Sequence, residues 1–175
     1  NRLGVCSFCL VNIFDEVINM RRKDREIIDP QTIRSIIEHC RVMRVAFCAD
    51  NIPYLVPLNF GFEETAQGYS FFFHSAHEGR KIDMLRQNPR VAFELDYGHA
   101  LISAEKAVDY SYAYQSIIGE GTAEIVTDTT EKIRLLQIFM LQQSGKNFTI
   151  TPAEAEIAAI CRIHVTALSA KAHLK

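Results

Sequence analysis

The sequence lacks any apolar run near the roughly 20 residues that a membrane-spanning helix requires. The apolar stretch at residues 5–14 is too short to span a bilayer, and no small-residue cleavage site follows it, so we expect no secretory signal. A strong excess of either charge is also missing, since the formal net charge is -2 and the pI is near 6.3. No general attraction to nucleic acid or to a membrane surface is therefore expected.

A cysteine pattern typical of disulfide frameworks is absent as well. The five cysteines are an odd number without regular spacing, which favours a reducing compartment and hence a cytoplasmic location. Cys6 and Cys9 form a C-x-x-C pair, but no second ligand pair lies nearby. We interpret them as incidental residues and expect no metal site.

Several motifs that carry chemistry in other enzymes do not occur. The chain has no G-x-G-x-x-G or Walker loop, no G-x-S-x-G elbow and no H-E-x-x-H pair, which disfavours Rossmann enzymes, P-loop nucleotidases, serine hydrolases of that type and zinc proteases. Basic residues do not interleave with the aromatic residues on one stripe, so no nucleic-acid partner is expected. Acid–base groups supplied by the protein are scarce, as is typical of an enzyme whose cofactor carries the chemistry.

Length and composition fit one domain. With 175 residues, of which 48% are hydrophobic and 23% charged, the chain is large enough to bury a core. Met20 followed by 21-RRKDRE-26 reads like a natural start. We therefore expect residues 1–19 to be a peripheral N-terminal extension and residues 20–175 to form a single domain.

Helix signals are strongest at two places. Residues 29–40 begin with Asp29 as a candidate N-cap and Pro30 at the first helical position, ahead of apolar residues at helical spacing. Residues 128–143 begin with Asp128 as a candidate N-cap, and Glu131 three residues later would complete a capping box. The expected apolar face of this helix comprises Ile133, Leu136, Phe139 and Met140.

The other periodic segments predict six strands joined by short turns, with two shorter helices between them. Pro57 marks a sheet edge or an irregularity in its strand, because proline cannot donate to a ladder. Gly119 and Gly121 suggest a bulge or a bend. Consecutive strands with helices around them indicate an α+β protein built on an antiparallel barrel or sandwich. The strands are expected at 42–49, 54–62, 69–75, 90–96, 112–126 and 160–170, and the short helices at 79–88 and near 151. The region 97–110 is ambiguous and is expected to be mostly loop or short strand.

The segment 74-HSAHEGRK-81 has the features of an anion site. A strand ends there in small polar residues and a helix begins near Gly79, so free backbone N–H groups and the helix dipole both favour negative charge. Arg80 and Lys81 oppose that dipole, each at a cost of roughly a few tenths of a kcal/mol unless an anion lies between them. The residues alone leave two interpretations open, a phosphate clamp to which Ser75 donates or a solvated basic turn.

His74 directly follows three phenylalanines, residues 71–73, which are expected to form a strand buried on both faces. A single histidine at the end of a strand is most often structural. Its place beside the candidate anion site also fits a side chain that faces a ligand. Its role stays open at this stage.

In chain order, four segments resemble the FMN-binding split-barrel superfamily, to which the pyridoxamine-phosphate oxidases belong. Within it, the chain is most similar to the 5-nitroimidazole resistance (Nim) family. The resemblance implies a six-stranded antiparallel split β-barrel with flanking helices, which forms a homodimer with two flavins at the subunit interface. The four segments are 20-MRRKDREI-27, 54-YLVPLNFGF-62, 72-FFHSAHEGRKIDML-85 with 88-NP-89, and 114-YQSIIGEG-121.

The resemblance also implies which residues contact the cofactor. Arg80 and Lys81 match the cationic pair that holds the flavin phosphate. Ser116 stands where oxidase relatives tend to carry a glutamine, and Arg44 aligns loosely with a flavin-binding strand of the oxidases. The strand end beside the phosphate matches His74, Ser75 and Ala76, and the strand whose backbone edges the isoalloxazine ring matches Val56, Pro57, Leu58 and Asn59.

The function that the resemblance implies is a flavin-dependent reductase of small organic molecules, including 5-nitroimidazole antibiotics, which are reduced fully to amines. FMN is the expected cofactor, with FAD as the alternative, and NAD(P)H is the expected electron donor. His74 is the candidate catalytic residue, as a proton donor or an orienter of the substrate. Two other functions stay open: an oxidase of the pyridoxamine-phosphate type, and a non-catalytic flavin- or haem-binding protein.

Overall fold

The computed structural model describes residues 21–174, so the expected extension at 1–19 lies outside the described residues. That range contains eight strands and four α-helices. The helices are α1 (Pro30–His39), α2 (Arg80–Gln87), α3 (Thr129–Ser144) and α4 (Pro152–Ala155). The strands are β1 (Glu26–Ile27), β2 (Met43–Ala49), β3 (Ile52–Leu58), β4 (Gly61–Thr65), β5 (Gly68–Ser75), β6 (Arg90–Ile102), β7 (Ser111–Val126) and β8 (Ala159–His173).

Helix α1 begins where the sequence predicts. The Asp29 carboxylate accepts a hydrogen bond of 2.9 Å from the Thr32 N–H, and Pro30 occupies the first turn, where its missing N–H costs nothing. One face of the helix is buried against the sheet and comprises Ile33, Ile36 and Ile37. Local signals are thus sufficient to predict where this helix begins.

The seven longer strands form one antiparallel sheet in the order β3-β2-β6-β7-β8-β5-β4, with β1 beside β8. The two outer strands, β3 and β4, are consecutive in the chain and joined only by residues 59–60. The sheet must therefore curl until its two ends lie close together. No ladder joins those ends within the described range, which gives a barrel that is split along one side. The α+β split-barrel prediction is confirmed.

The predicted count of six strands is wrong, for two reasons. The segment expected as one strand at 54–62 is interrupted at Asn59 and Phe60, because the Asn59 amide turns away to donate to the Arg41 carbonyl at 2.9 Å. Gly61 then passes so close to Phe72 that a Cβ would lie 2.3 Å from its ring. The additional strand β1 is only two residues long and pairs with the end of β8, a contact that its own sequence does not signal.

The free edge of β4 is covered by glutamines of α3. The side-chain amide of Gln142 donates to the Phe62 carbonyl and accepts from the Phe62 N–H, both at 2.8 Å. The Gln143 amide donates to the Phe60 carbonyl at 2.6 Å. Side chains thus replace a missing neighbouring strand and satisfy backbone groups on one side of the split.

Helix α3 departs from the sequence prediction in its face and its cap. Asp128 accepts from the Glu131 N–H at 2.7 Å as expected, but the Glu131 carboxylate binds Arg134 and Arg162, so only half of the predicted capping box forms. The predicted face is only partly right: Phe139 is buried, and Leu136 and Met140 pack against the apolar cluster beneath α3, but the buried stripe is displaced. Ile133, Leu136 and Met140 are only half-buried, whereas the buried residues are Lys132, Leu135 and Phe139.

Strand β5 runs between two apolar clusters, as predicted for a strand that is buried on both faces. The rings of Phe71, Phe72 and Phe73 are each at most 1% exposed. Phe71 packs against Phe93 with ring centroids 5.0 Å apart, while Phe72 belongs to a second cluster beneath α3. Rigid packing on both sides fixes where β5 ends and α2 begins.

The irregularity expected at Gly119 and Gly121 lies in the pairing of β7 with β8, where Thr166 of β8 is the extra residue, and not in the β6–β7 hairpin. The register between β7 and β8 shifts between Glu120 and Gly121. Strand β6 continues to Ile102, past the expected end at residue 96, because β7 remains available as a partner along that length. Residues 97–110, expected to be mostly loop or short strand, are therefore strand as far as Ile102 and mostly loop after it.

Candidate functional site

The turn between β5 and α2, residues 76–79, opens directly onto the first turn of the helix. Gly79 is the N-cap with φ of 122° and provides no capping side chain. A Cβ at this position would meet no atom within 4 Å, so glycine is required by the backbone conformation and not by space. The N-terminus of α2 is consequently left without a side-chain cap, and its positive end faces outward for an acceptor.

Ser75 lies at the base of this turn and is only 5% exposed. Its hydroxyl has no hydrogen-bond partner among the described residues. A buried hydroxyl without a partner costs roughly 1–3 kcal/mol, so such a group calls for an explanation. An anionic oxygen bound at the helix N-terminus would supply the missing acceptor, and in this respect the residues fit a phosphate.

Two cations follow the turn. Arg80 is exposed, and its guanidinium carbon lies 4.4 Å from the ring centroid of Tyr54 on β3, a cation–π contact worth about 0.5–1 kcal/mol at an exposed site. Lys81 is half-buried. The Arg80 contact ties the helix N-terminus to strand β3 and brings together two segments that the sequence assigned to the phosphate and to the flavin ring.

His74 and Ala76 are both exposed at the end of β5. The His74 ring packs edge-on against Phe139 of α3, with centroids 5.3 Å apart and planes at 83°. This contact orients the imidazole while leaving its exposed side open to solvent. The position is compatible with a neighbour of the substrate.

His77, in the middle of the turn, makes a specific contact that the sequence did not indicate. Its Nε2–H donates to the Glu156 carbonyl at 2.9 Å, and Glu156 directly follows α4. The turn is thereby attached to a segment 79 residues away along the chain.

Strand β3 presents a free edge to the site. Because β3 is the last strand of the sheet, Pro57 lies on an edge, as predicted, and Pro53 lies on the same strand. Prolines avoid positions that must donate to a ladder, so the nitrogens of Pro53 and Pro57 face the open side of β3. Because alternate residues of a strand direct their backbone groups to the same side, the N–H and C=O groups of Leu55 also face the open side. Along this edge Val56 and Leu58 are half-buried, and Pro57 and Asn59 are exposed.

Ser116 does not join these residues within one chain. It lies on the outer face of the sheet, opposite Asp96 of β6 and Lys171 of β8. The end of β7 near the turn is Val126, ten residues further on, or about 33 Å of extended strand. A contact of Ser116 with the same cofactor therefore requires a second copy of the chain, and its assignment stays a prediction.

Arg44 is held by two carboxylates. It donates to Glu94 at 2.9 Å and to Asp96 at 2.5 Å, and these hydrogen bonds raise its pKa above the ordinary value. A guanidinium held in this way is not available to a phosphate without losing both bonds. Arg44 also lies opposite Pro57 in the β2–β3 ladder, so its assignment to a flavin-binding strand stays a prediction.

The sequence did not predict three residues that contact the candidate site: Tyr54, Phe139 and Glu156. Tyr54 stands inside a segment that carried the family resemblance, so its place beside the site could have been suspected. Phe139 and Glu156 give no local signal, because each meets the turn only through the packing of α3 and α4. Within residues 21–174, no group of three or more histidine, cysteine or acidic side chains is arranged to hold a metal ion, and no helix there is long and apolar enough to cross a membrane.

Comparison with known proteins decides the family. The sequence profile of the pyridoxamine 5'-phosphate oxidase family matches residues 29–172, which is most of the chain. The chain belongs to this family. The match covers every strand except β1 and includes the whole candidate site, so the predicted resemblance to the FMN-binding split barrels is confirmed.

Solved structures of similar fold include a protein of Bacteroides thetaiotaomicron whose proposed role is 5-nitroimidazole antibiotic resistance. It is 29% identical, with a TM-score of 0.73 over 84% of this chain and 86% of the other. The flavocytochrome Anf3 of Azotobacter vinelandii is 18% identical, with a TM-score of 0.77 over 93% and 76%. An FAD- and haem-binding protein of Mycobacterium smegmatis is 16% identical, with a TM-score of 0.71 over 85% and 73%. No curated protein sequence matched the chain.

In this member of the pyridoxamine 5'-phosphate oxidase family, Arg80 contacts Tyr54 on β3, Ser75 lies four residues before the N-cap of α2, and Ser116 lies apart. The two relatives under 20% identity show the fold alone. The Bacteroides protein shares more of the sequence, and its similarity agrees with the Nim-like features of the segment 72–85. These comparisons show the fold and the family of the chain, but not its activity.

Proposed function

We propose that this protein binds FMN and reduces small organic molecules, among them 5-nitroimidazoles, to amines. The observations that carry the proposal are the buried, unpartnered hydroxyl of Ser75 at the end of β5 and, four residues further on, an uncapped helix N-terminus followed by Arg80 and Lys81. Such a site suits a dianionic phosphate, because charge-assisted hydrogen bonds are roughly twice as strong as neutral ones. Its similarity to the Bacteroides protein supports the substrate class.

The same geometry supports a direction for the rest of the cofactor. The cation–π contact of Arg80 with Tyr54 places β3 next to the phosphate site. From there the edge of β3 leads along Val56 and Pro57 toward Asn59, five residues or about 17 Å beyond Tyr54. A flat ring can lie along this edge, where Leu55 is the residue able to offer a backbone N–H between two prolines.

The chemistry divides between the cofactor and the chain. A bound flavin supplies hydride acceptance from NAD(P)H and electron transfer to the substrate. The protein holds the phosphate, orients the ring and excludes water from one face of it. His74, fixed by the edge of Phe139, is placed to donate a proton to a substrate oxygen or to orient it.

We propose a homodimer that forms through the outer face of the sheet. Leu55 is 59% exposed and Ile118 is 50% exposed, and they lie on one face together with Ala46, the register neighbour of Leu55, and Ala92, the register neighbour of Ala46. Exposed apolar residues on an uncovered sheet are typical of an interface, and twofold symmetry would place the same face on both copies. It would also bring Ser116, on that face, toward the partner.

Oligomeric mass tests the dimer. Size-exclusion chromatography with light scattering should give about twice the chain mass for the wild type. Ile118→Glu should give monomers, whereas Leu141→Glu, a matched change of an exposed residue on α3, should leave the dimer intact. A wild-type monomer, or a dimer unaffected by Ile118→Glu, would refute this interface.

The reductase activity is tested by spectroscopy. The flavin absorbance of the loaded protein should bleach on anaerobic addition of stoichiometric NADH or NADPH and recover when a 5-nitroimidazole is added. With excess NADH or NADPH, which supplies the six electrons that a nitro group needs over repeated cycles, the amine should be detected by mass spectrometry. Arg80→Ala and Lys81→Ala should each lose FMN, and Arg90→Ala, an exposed arginine at the start of β6, should retain it. Bleaching by pyridoxamine phosphate with formation of pyridoxal phosphate, and none by NADH or NADPH, would favour the oxidase; a haem spectrum would favour a binding protein. Recovery of the flavin without any amine would refute full reduction of the nitro group.

A further inference from the structure

Lys132 of α3 occupies a buried position, where an apolar side chain such as that of the adjacent Ile133 would lose less hydration free energy. It is 7% exposed, whereas the adjacent Ile133 is only half-buried. Its ammonium donates to the Glu156 carboxylate at 2.6 Å, and the Thr129 hydroxyl donates to the other oxygen of that carboxylate at 2.8 Å. These hydrogen bonds, that of Lys132 first, hold the pKa of Glu156 below its ordinary value.

The same residue, Glu156, also holds the phosphate turn. Its backbone carbonyl accepts from His77 Nε2–H at 2.9 Å. Because a carbonyl can only accept, the His77 ring must carry a proton on Nε2 whether it is neutral or charged. A continuous chain of contacts therefore runs from the buried ammonium on α3 through Glu156 to the ring of His77, in the middle of the turn.

The turn needs such an anchor. Residues 76–79 are all exposed, and Gly79 closes the turn in a conformation that only glycine adopts easily. Apart from the bond between the His77 ring and Glu156, one other hydrogen bond in the described range joins the turn to a side chain. It is long, 3.5 Å, and runs from the Arg86 guanidinium to the His77 carbonyl. Without the Glu156 contact, the backbone donors of the turn would have few restraints.

We infer that Lys132 and Glu156 are positioning residues, which fix the turn 76–79 through His77 so that its donors meet the phosphate of the cofactor. This inference rests on the proposed function. It explains why a lysine is buried on the face where the sequence predicts an apolar residue. A purely structural alternative is that the ion pair only secures α4 to α3. The two hypotheses are distinguishable because a positioning role affects the binding of FMN but not of riboflavin, whereas a purely structural role affects both ligands or neither.

The test compares FMN with riboflavin, which has the same ring and no phosphate. In Lys132→Met, the dissociation constant for FMN should rise about tenfold, roughly the equivalent of one lost hydrogen bond, while that for riboflavin stays unchanged. Lys132→Arg, which keeps the donor, should restore much of the FMN affinity. Equal losses for both ligands, or no loss for either, would overturn the inference.

A surface variant keeps the test valid if Lys132→Met fails to fold. His77→Phe removes the donor and keeps a ring, whereas His77→Gln keeps an N–H that can reach the Glu156 carbonyl. The first should weaken FMN binding about tenfold and the second should bind nearly as the wild type does. Where both single variants fold, the double variant Lys132→Met/His77→Phe should lose no more than either, because both act through one chain of contacts.

Additive losses in the double variant would contradict a shared route. Failure of the inference is distinguishable from failure of the proposed function. If wild-type protein binds FMN no better than riboflavin, the phosphate clamp itself is refuted. If it prefers FMN and the His77 variants keep that preference in full, the clamp stands and the positioning role is wrong.

Discussion

Replacing Ser75 by alanine should have opposite effects on the empty protein and on the complex with FMN. In the empty protein the Ser75 hydroxyl is buried and has no partner among the described residues. Removing it abolishes an unpaired polar group, so the free energy of unfolding should increase. In the complex the same hydroxyl would donate to the phosphate, so its removal should weaken binding.

The sizes of the two effects follow from the burial and the chemistry. A buried hydroxyl without a partner costs roughly 1–3 kcal/mol, and the dispersion attraction that one oxygen atom provides offsets part of the gain from removing it. We expect the empty Ser75→Ala protein to be about 1 kcal/mol more stable. A hydrogen bond to a charged group is worth about 1.5–3 kcal/mol, so FMN affinity should fall by between about tenfold and about a hundredfold.

Ser70 offers a matched control on the same strand. It is also 5% exposed with an unpartnered hydroxyl, but it lies five residues from Ser75, about 17 Å along β5. Ser70→Ala should likewise stabilise the empty protein and leave FMN affinity unchanged. Denaturant unfolding and flavin fluorescence titration measure both quantities. An empty Ser75→Ala protein that is less stable than the wild type, with unchanged FMN affinity, would refute the reasoning.

Three further predictions concern the scaffold. Gly119→Ala should destabilise the protein by about 1–3 kcal/mol in denaturant unfolding, because its Cβ would lie 2.3 Å from the Phe93 ring. Glu63→Gln should flatten the pH dependence of stability in acid, because the hydrogen bond from Arg134 lowers the pKa of Glu63 below its ordinary value. The carboxylate contributes stability above the unfolded-state pKa, and this contribution is lost as the pH falls through the folded-state pKa. Cys48 should be alkylated in native protein, because it is the exposed cysteine of the three described, whereas burial raises the pKa of the other two to about 12.

Each of these outcomes has a clear opposite. A Gly119→Ala protein as stable as the wild type would show that Phe93 can move aside. If Glu63→Gln and wild-type protein lost stability in parallel from neutral pH to about pH 3, the ion pair with Arg134 would be without effect; the pair is partly exposed, so its contribution at neutral pH should stay below about 1 kcal/mol. Peptide mapping that finds Cys48 unlabelled would contradict its exposure.

The sequence predicts this fold well where signals are local. The Asp29 cap with Pro30, and the Asp128 cap, place the starts of two helices correctly, since capping depends on residues within one turn. The cluster of Ser75, Arg80 and Lys81 is predictable for the same reason, because all three lie within seven consecutive residues.

Errors arose where distant packing decides the outcome. The break after Leu58 depends on the approach of Gly61 to Phe72, and the apolar face of α3 is displaced because Glu156 gives the buried Lys132 a partner 24 residues away. The bond of His77 to Glu156 spans 79 residues. No window of sequence contains both members of such a pair, so pattern alone cannot reveal them.

The central claim is that this chain binds flavin through its phosphate, and the chromophore itself tests it most directly. Apoprotein incubated with FMN and passed through a desalting column should retain flavin absorbance, and mass spectrometry of the released molecule should give FMN at one per chain. Riboflavin treated in the same way should be lost on the column. A protein that stays colourless after incubation with FMN, or that retains riboflavin equally well, would contradict the claim.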